Sequence, residues 1–396
     1  MNLLRLLTLS VAAALSLAAN AADWRGSYSL EETYYPNSPL FARQSHSYPS
    51  MALEVEYHRD LTIPGHSITI TPFVRIDDLD QQRTHADFRE LKMHVVRGDW
   101  EWDLGLIKVF WGVTESQHLV DIINQTDLIE NIDGEDKLGQ PAIHSLWYRD
   151  WGTLEMFLMP GFRQRSFPGI NGRLRGALPV DTHQPQYESR DKDHHLDYAL
   201  RASGTFFNDW DIGLSWFSGT ARDPQLLLDT TRSQPRLIPR YPLINRLGLD
   251  AQATLESWLW KVEAIYQDQK NQSFSAAVGG FEYTFYTIAD SAADLGVLAE
   301  YHYNSRHEDA DSPFQNDLFL GARWALNDAQ STEVLAGGFF DLDHDSRSYR
   351  IEASRRIGQN WKSTGEFQLF DRISPKEQQY PLRNDDFARI ELARYF

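Results

Sequence analysis

The chain has 396 residues, a formal charge of −18 and no cysteine, which removes disulfides, thiolate nucleophiles and zinc–thiolate centres together. Its 56 acidic residues, against 38 lysines and arginines, are spread over the whole length, so electrostatic attraction to nucleic acid or to an anionic lipid surface is not expected. Past residue 21 no apolar run approaches the roughly 18 to 20 residues of a spanning helix, which excludes a helical membrane protein.

The first element is a leader. "MNLLRLLTLSVAAALSLAANAADW" carries Arg5 in a short basic start, an apolar stretch from Leu6 to Ala19 and an Ala19-Asn20-Ala21 cleavage pattern. Together these predict a secretory signal over 1–21 and a single mature domain over 22–396.

From there the chain alternates with period two, the signature of strands with one apolar face. At "SITITPFVRID" the residues Ile68, Ile70, Pro72, Val74 and Ile76 oppose Thr69, Thr71, Phe73 and Arg75. The same rhythm predicts strands at 24–35, 52–58, 67–77, 87–96, 100–111, 144–149, 153–162, 196–207 and 211–218. It continues at 246–255, 258–267, 273–288, 294–304, 317–326, 332–341, 348–357, 361–371 and 388–396. Many have the 9 to 11 residues, in round terms about ten, of a tilted spanning strand.

Connections alternate too. Even-to-odd links are short, as at "RGDW" and "RDWG", whereas odd-to-even links such as 36–47, 112–143, 163–195 and 219–245 are long. Short turns place Trp100, Trp151, Trp210, Trp258 and Trp361 at one depth, as an interfacial girdle requires. A soluble barrel or sandwich also alternates, but it accounts for neither the loop asymmetry nor the tryptophan turns. The expected fold is all-β: a closed antiparallel transmembrane β-barrel of about 18 strands, with 16 as the alternative.

The tail "DFARIELARYF" ends this pattern on an aromatic, with Leu392 and Ile390 four and six places before Phe396; Arg394 departs from it and Tyr395 sits one place off. In these features the chain resembles the outer-membrane β-barrels of Gram-negative bacteria, the porin-like members most closely. The resemblance implies an outer-membrane location, with contact to lipid and lipopolysaccharide. It also implies insertion by the barrel-assembly machinery through the last strand, and passage of small solutes.

Alternation places one set of charged residues inside the barrel. Pore-lining candidates are Arg75, Glu90, Lys92, Arg201, Glu263, Arg323, Arg350, Glu366 and Arg389. Two readings stand: these charges face an aqueous pore and set a transverse field, or neighbouring strands pair them and close it. In the loop at 115–132, Leu119, Ile122, Ile123 and Ile129 recur near helical spacing, which predicts a short amphipathic helix folded inward. The basic loop at 163–176 offers Arg163, Arg165, Arg173 and Arg175 as anion-binding candidates, or as partners for the acids of "DKDHHLD". "DLDHD" (Asp341, Asp343, Asp345) and "EDAD" (Glu308, Asp309, Asp311) are weak calcium candidates without the Gly and distal Glu of an EF-hand loop.

No catalytic motif is present and no cofactor is implied. Ser203 and His302 supply hydrolase residue types without any sign that they meet. The expected function is a porin-like channel for small solutes and not an enzyme. The alternatives are a barrel enzyme acting on lipid or surface polymer, and an accessory barrel partnered with a periplasmic export system.

Overall fold

A computed structural model describes residues 23–396 apart from 271 and 311; the predicted leader lies outside the described residues. Eighteen strands form the wall: β1 (Trp24–Tyr34), β2 (Ser47–Asp60), β3 (His66–Asp77), β4 (His85–Arg97), β5 (Trp100–Ile107) and β6 (Gln140–Arg149). They continue as β7 (Gly152–Met159), β8 (Asp197–Phe206), β9 (Trp210–Thr220), β10 (Leu243–Leu255), β11 (Trp258–Gln269) and β12 (Gln272–Phe285). The last third is β13 (Asp294–Asn304), β14 (Asn316–Ala325), β15 (Glu333–Asp341), β16 (Arg347–Ile357), β17 (Trp361–Asp371) and β18 (Phe387–Tyr395).

Each strand pairs antiparallel with the next, and β1 pairs with β18 in the register Leu30↔Leu392 and Ser27↔Tyr395. Gly26 and Phe396 exchange backbone hydrogen bonds of 3.1 and 3.0 Å at the seam. The sheet therefore closes with no free edge, which removes the unpaired amides that a single open sheet would expose to lipid. Eighteen strands, rather than sixteen, make the barrel.

Side chains sort by the strand period. On β3, Val74 and Ile76 are exposed on the outside while Thr71, Arg75 and Asp77 are buried inside. On β18, Ile390 and Leu392 face out and Phe387 and Ala393 are buried within. Arg394, the departure in the tail, points outward at the short-turn end, where it donates to Tyr28 Oη at 3.2 Å and lies over the Trp361 ring. A guanidinium resting on girdle aromatics reaches the aqueous edge without sitting in hydrocarbon. Trp100 stacks on Trp102 and Trp147, and Trp258 on Trp260, at that same end.

Three local predictions are corrected. The strand expected over 100–111 stops at Ile107, because the chain leaves the wall and enters the lumen. The helix expected within 115–132 is absent. That stretch is irregular, with a two-residue ribbon of Gln125–Thr126 against Lys137–Leu138. The backbone N–H groups of Glu115, Ser116 and Val120 are taken by the wall carboxylates of Glu300 and Glu263 and so are not free for helical bonds. On β4 the register slips beside Thr71 and Pro72, leaving Arg89 as a bulge residue; both Arg89 and Glu90 then turn from the lipid face, against strict alternation. The loops at 160–196 and 221–242 also build a small sheet from Gln186–Tyr187, Arg236–Tyr241 and Gln225–Asp229 that the sequence pattern did not announce.

Candidate functional site

The segment 108–139 folds into the barrel and divides its interior. Gly112 makes the turn at φ +148°, and a Cβ there would lie 2.9 Å from His118 and 3.0 Å from Glu263. Val120, Ile122 and Ile123 then pack on inward-facing Phe157, Met159, Phe217, Ile244 and Ile265 in one buried cluster. Apolar residues on the lumen side of β7 to β11 thus have a purpose: they are the seat of the loop.

Two buried wall glutamates hold the loop's backbone. Glu263 accepts from Val113 N at 2.7 Å, Thr114 N at 3.1 Å, Thr114 Oγ1 at 2.8 Å and Val120 N at 3.1 Å. Glu300 accepts from Glu115 N at 2.8 Å and Ser116 N at 2.9 Å, and closely from the Ser116 hydroxyl. Several N–H groups on one ionised acceptor form a strong, directional clamp. Beside it, His118 sits between Glu135 at 3.0 Å and Glu263 at 3.8 Å. Burial lowers its affinity for a proton, but the two carboxylates outweigh this and push its pKa up to about 10.

Further along, loop acids meet wall arginines. Asp127 pairs with Arg89 at 2.6 Å, Glu130 with Arg75 at 2.8 Å, Asp133 with Arg350 at 2.7 Å and Glu115 with Arg323 at 2.6 Å. Arg75 also reaches Glu31 at 3.3 Å and Ser50 at 2.8 Å. Arg350 is shared with Glu352 and Glu366, and Glu366 accepts in addition from Arg389 at 3.2 Å.

Open space remains around the loop. At the short-turn end a cavity of about 560 Å³ is lined by Arg201, Ser203, Asp250 and Trp151. At the long-loop end one of about 370 Å³ is lined by Gln117, Arg246, Phe274 and Phe314. Between loop and wall lie two more: about 300 Å³ beside Glu115, Glu135, Phe339 and Arg350, and about 310 Å³ beside Arg75, Glu130, Asp136 and Arg389. These two share Arg350 and Glu352, so the lumen is partitioned by the loop and not filled by it.

Of the sequence candidates, Arg75, Arg350, Glu366 and Arg389 border one cavity and Arg201 borders another. Arg323 reaches the loop through Glu115. Glu90 and Lys92 pair with each other at 2.9 Å. Glu263 does not border open space: it is fully buried under the loop, which lies on it. Arg89 and the loop acids were missed, and Glu300, which alternation already turns inward, was not singled out. The available signal was the spacing of Asp127, Glu130, Asp133 and Asp136, every third residue of a loop entering a basic-studded lumen.

The basic loop is corrected by its partners. Arg163 pairs with Asp87 at 2.8 Å, Arg165 with Asp223 at 2.6 Å and fully buried Arg173 with Asp385 at 2.6 Å. Arg175 donates to the Gly176 carbonyl and lies over Phe41. Arg163, Arg165 and Arg173 are therefore engaged by acids from other strands and loops, not from "DKDHHLD", while Arg175 donates to carbonyls of its own loop. The calcium candidates do not converge either. Asp341 accepts from the amides of Asp343 and His344, Asp343 accepts from Asn316, and Asp345 is exposed; Asp311 lies outside the described residues. Among the described residues one group of three metal-ligand types comes together, His85, Asp127 and Glu130. Arg89 and Arg75 already occupy its carboxylates, and two fixed positive charges oppose a cation there.

His302 meets Ser116, not Ser203: Ser116 Oγ lies 2.8 Å from His302 Nε2, and Gln117 Oε1 lies 3.2 Å from Nδ1. The Ser116 hydroxyl also sits on the Glu300 carboxylate, just as the Thr114 hydroxyl sits on Glu263. The repeated arrangement makes it one of two loop clamps.

No protein-family profile and no curated protein sequence matches the chain. Among solved structures, Pseudomonas aeruginosa OccD3 (OpdP) aligns with a TM-score of 0.52 at 9% identity, over 95% of this chain and 91% of that one. A mutant of the Rh. blastica porin aligns at 0.46 and 11% identity, over 94% of this chain and 99% of the other. The architecture is that of a porin-like barrel: closed, 18-stranded and antiparallel.

Proposed function

We propose, from this porin-like barrel, that the chain is an outer-membrane channel for small solutes, exported by its leader and inserted with its termini on the periplasmic side. The observation that carries the reading is the interior. A loop clamped across the lumen leaves bordering cavities of about 300 and 310 Å³, inside a wall whose outer face is apolar. A wall that needed only to be filled would not spend two buried glutamates on holding a loop away from part of it. Arg75, Arg350, Glu366 and Arg389 are the lining residues of this proposal, and lipopolysaccharide and the barrel-assembly machinery its expected partners.

Refolded protein in a planar bilayer tests it. Discrete current steps are expected. A persistently silent membrane, with protein that still shifts in gel mobility on boiling, would refute the channel and leave the accessory barrel as the reading. Ester hydrolysis lost in Ser116→Ala would instead support an enzyme.

A further inference from the structure

Acids recur at every third residue along the inward loop, and three of the four meet a wall arginine: Asp127 with Arg89, Glu130 with Arg75 and Asp133 with Arg350. The fourth does not. Among the described residues Asp136, which faces the cavity of about 310 Å³, has neither an ion pair nor a hydrogen bond to its carboxylate, and Glu391, across that cavity on the inner face of β18, likewise has no ion pair.

Compensation is thin around them. Arg350 is divided among Asp133, Glu352 and Glu366, and Glu366 alone of the three has a second guanidinium among the described residues, that of Arg389. The cavity lining has six carboxyl groups against the guanidiniums of Arg75, Arg350 and Arg389. The lining beside the loop therefore carries a net negative charge.

Charge of one sign in a narrow space with low-dielectric walls concentrates counter-ions and repels co-ions. A permeating ammonium or guanidinium supplies the partner that Asp136 and Glu391 lack, whereas an anion meets net repulsion from a lining with twice as many carboxyl groups as guanidiniums. We propose that the passage beside residues 130–136 selects cations, with Asp136 and Glu391 holding the cationic group of an organic solute in transit. This rests on the channel reading above.

The test is the reversal potential of single channels under an asymmetric gradient, first of KCl and then of ethylammonium chloride. Cation permeability is expected to exceed that of chloride by about threefold or more. The double variant Asp136→Asn with Glu391→Gln breaks no ion pair, so it should assemble and still shift on boiling. Its ratio should fall at least about twofold towards unity. Channels that favour chloride, or a ratio untouched by the double variant, would overturn this proposal alone. A silent bilayer would overturn the channel reading and this proposal with it.

Discussion

Glu263→Ala is the sharpest perturbation of the loop. The wild-type carboxylate accepts three backbone N–H groups and one hydroxyl, and the residue is fully buried. The Thr114 hydroxyl keeps a second acceptor in the Gln117 carbonyl, but the amides of Val113, Thr114 and Val120 lose theirs. Each orphaned buried donor costs about 1–3 kcal/mol. Water entering the vacated volume recovers part of that, so the low end, about 3 kcal/mol in all, is the expected loss. That is roughly a 100-fold shift in the ratio of docked to released loop.

Glu263→Gln separates the clamp from simple volume. Its carbonyl oxygen replaces Oε1, which takes three of the bonds, while its amide group opposes the Val120 N–H, so about 1–2 kcal/mol should be lost. Limited trypsin digestion at Lys137 reads loop release whether or not the barrel conducts, and its rate tracks the open population. Nicking should rise in the order wild type, Gln, Ala, accompanied by larger and noisier bilayer currents. An unchanged rate in both Glu263→Ala and Glu263→Ala with Glu300→Ala would refute the clamp.

Arg173→Ala should lower the thermal midpoint of the folded barrel, because it leaves Asp385 buried and unpaired at a cost of about 3–5 kcal/mol; Arg173 has a fully buried side chain. Calorimetry or the heating step before electrophoresis measures this. Asp136 is pushed up to about 7 by burial and by Asp133 and Glu130, with Asp127 adding to this and Arg89 opposing it. It therefore gains its charge as pH rises from about 6 to 8, and cation preference should increase over that range in wild type but not in Asp136→Asn. Glu377 is pushed up to about 8 by burial and then by Asp341 and Asp317. Its folded pKa lies above the ordinary carboxylate value, so its stabilising contribution is complete in acid and is lost as pH rises through about 8. The midpoint should fall as pH rises from about 4.5 to about 8 and level off above that, and Glu377→Gln should flatten that fall. The Phe396 ring lies against Gly26 at the closing seam, so Phe396→Ser should reduce the heat-modifiable form in membranes; normal amounts would count against the assembly role of the last strand.

Much of this barrel was legible because a strand's period is two and a barrel needs only one apolar face. Ile390 and Leu392 outside, with Arg389 and Glu391 inside, follow from alternation alone, as do the strand count and the alternation of short and long connections. Alternation fails where the backbone leaves it. The bulge at Arg89 turned a basic residue inward that strict parity sends to lipid. On β7 to β11 apolar residues face inward because a loop distant in sequence lies on them.

The lumen's chemistry was decided by partners that the one-dimensional pattern does not pair. Glu263 reads as a pore-lining charge in the sequence and is an anchor in the structure, because four donors from 113–120 converge on it across about 150 residues of chain. Arg163, Arg165 and Arg173 read as an anion site or as partners of the nearby "DKDHHLD", whereas Asp87, Asp223 and Asp385 reach them from three other places. Local sequence determined which residues face the interior, because that depends on dihedral period and solvent. Which of those charges are neutralised, and that Asp136 and Glu391 are not, depended on where the inward loop came to rest, and only the closed tertiary structure decides that.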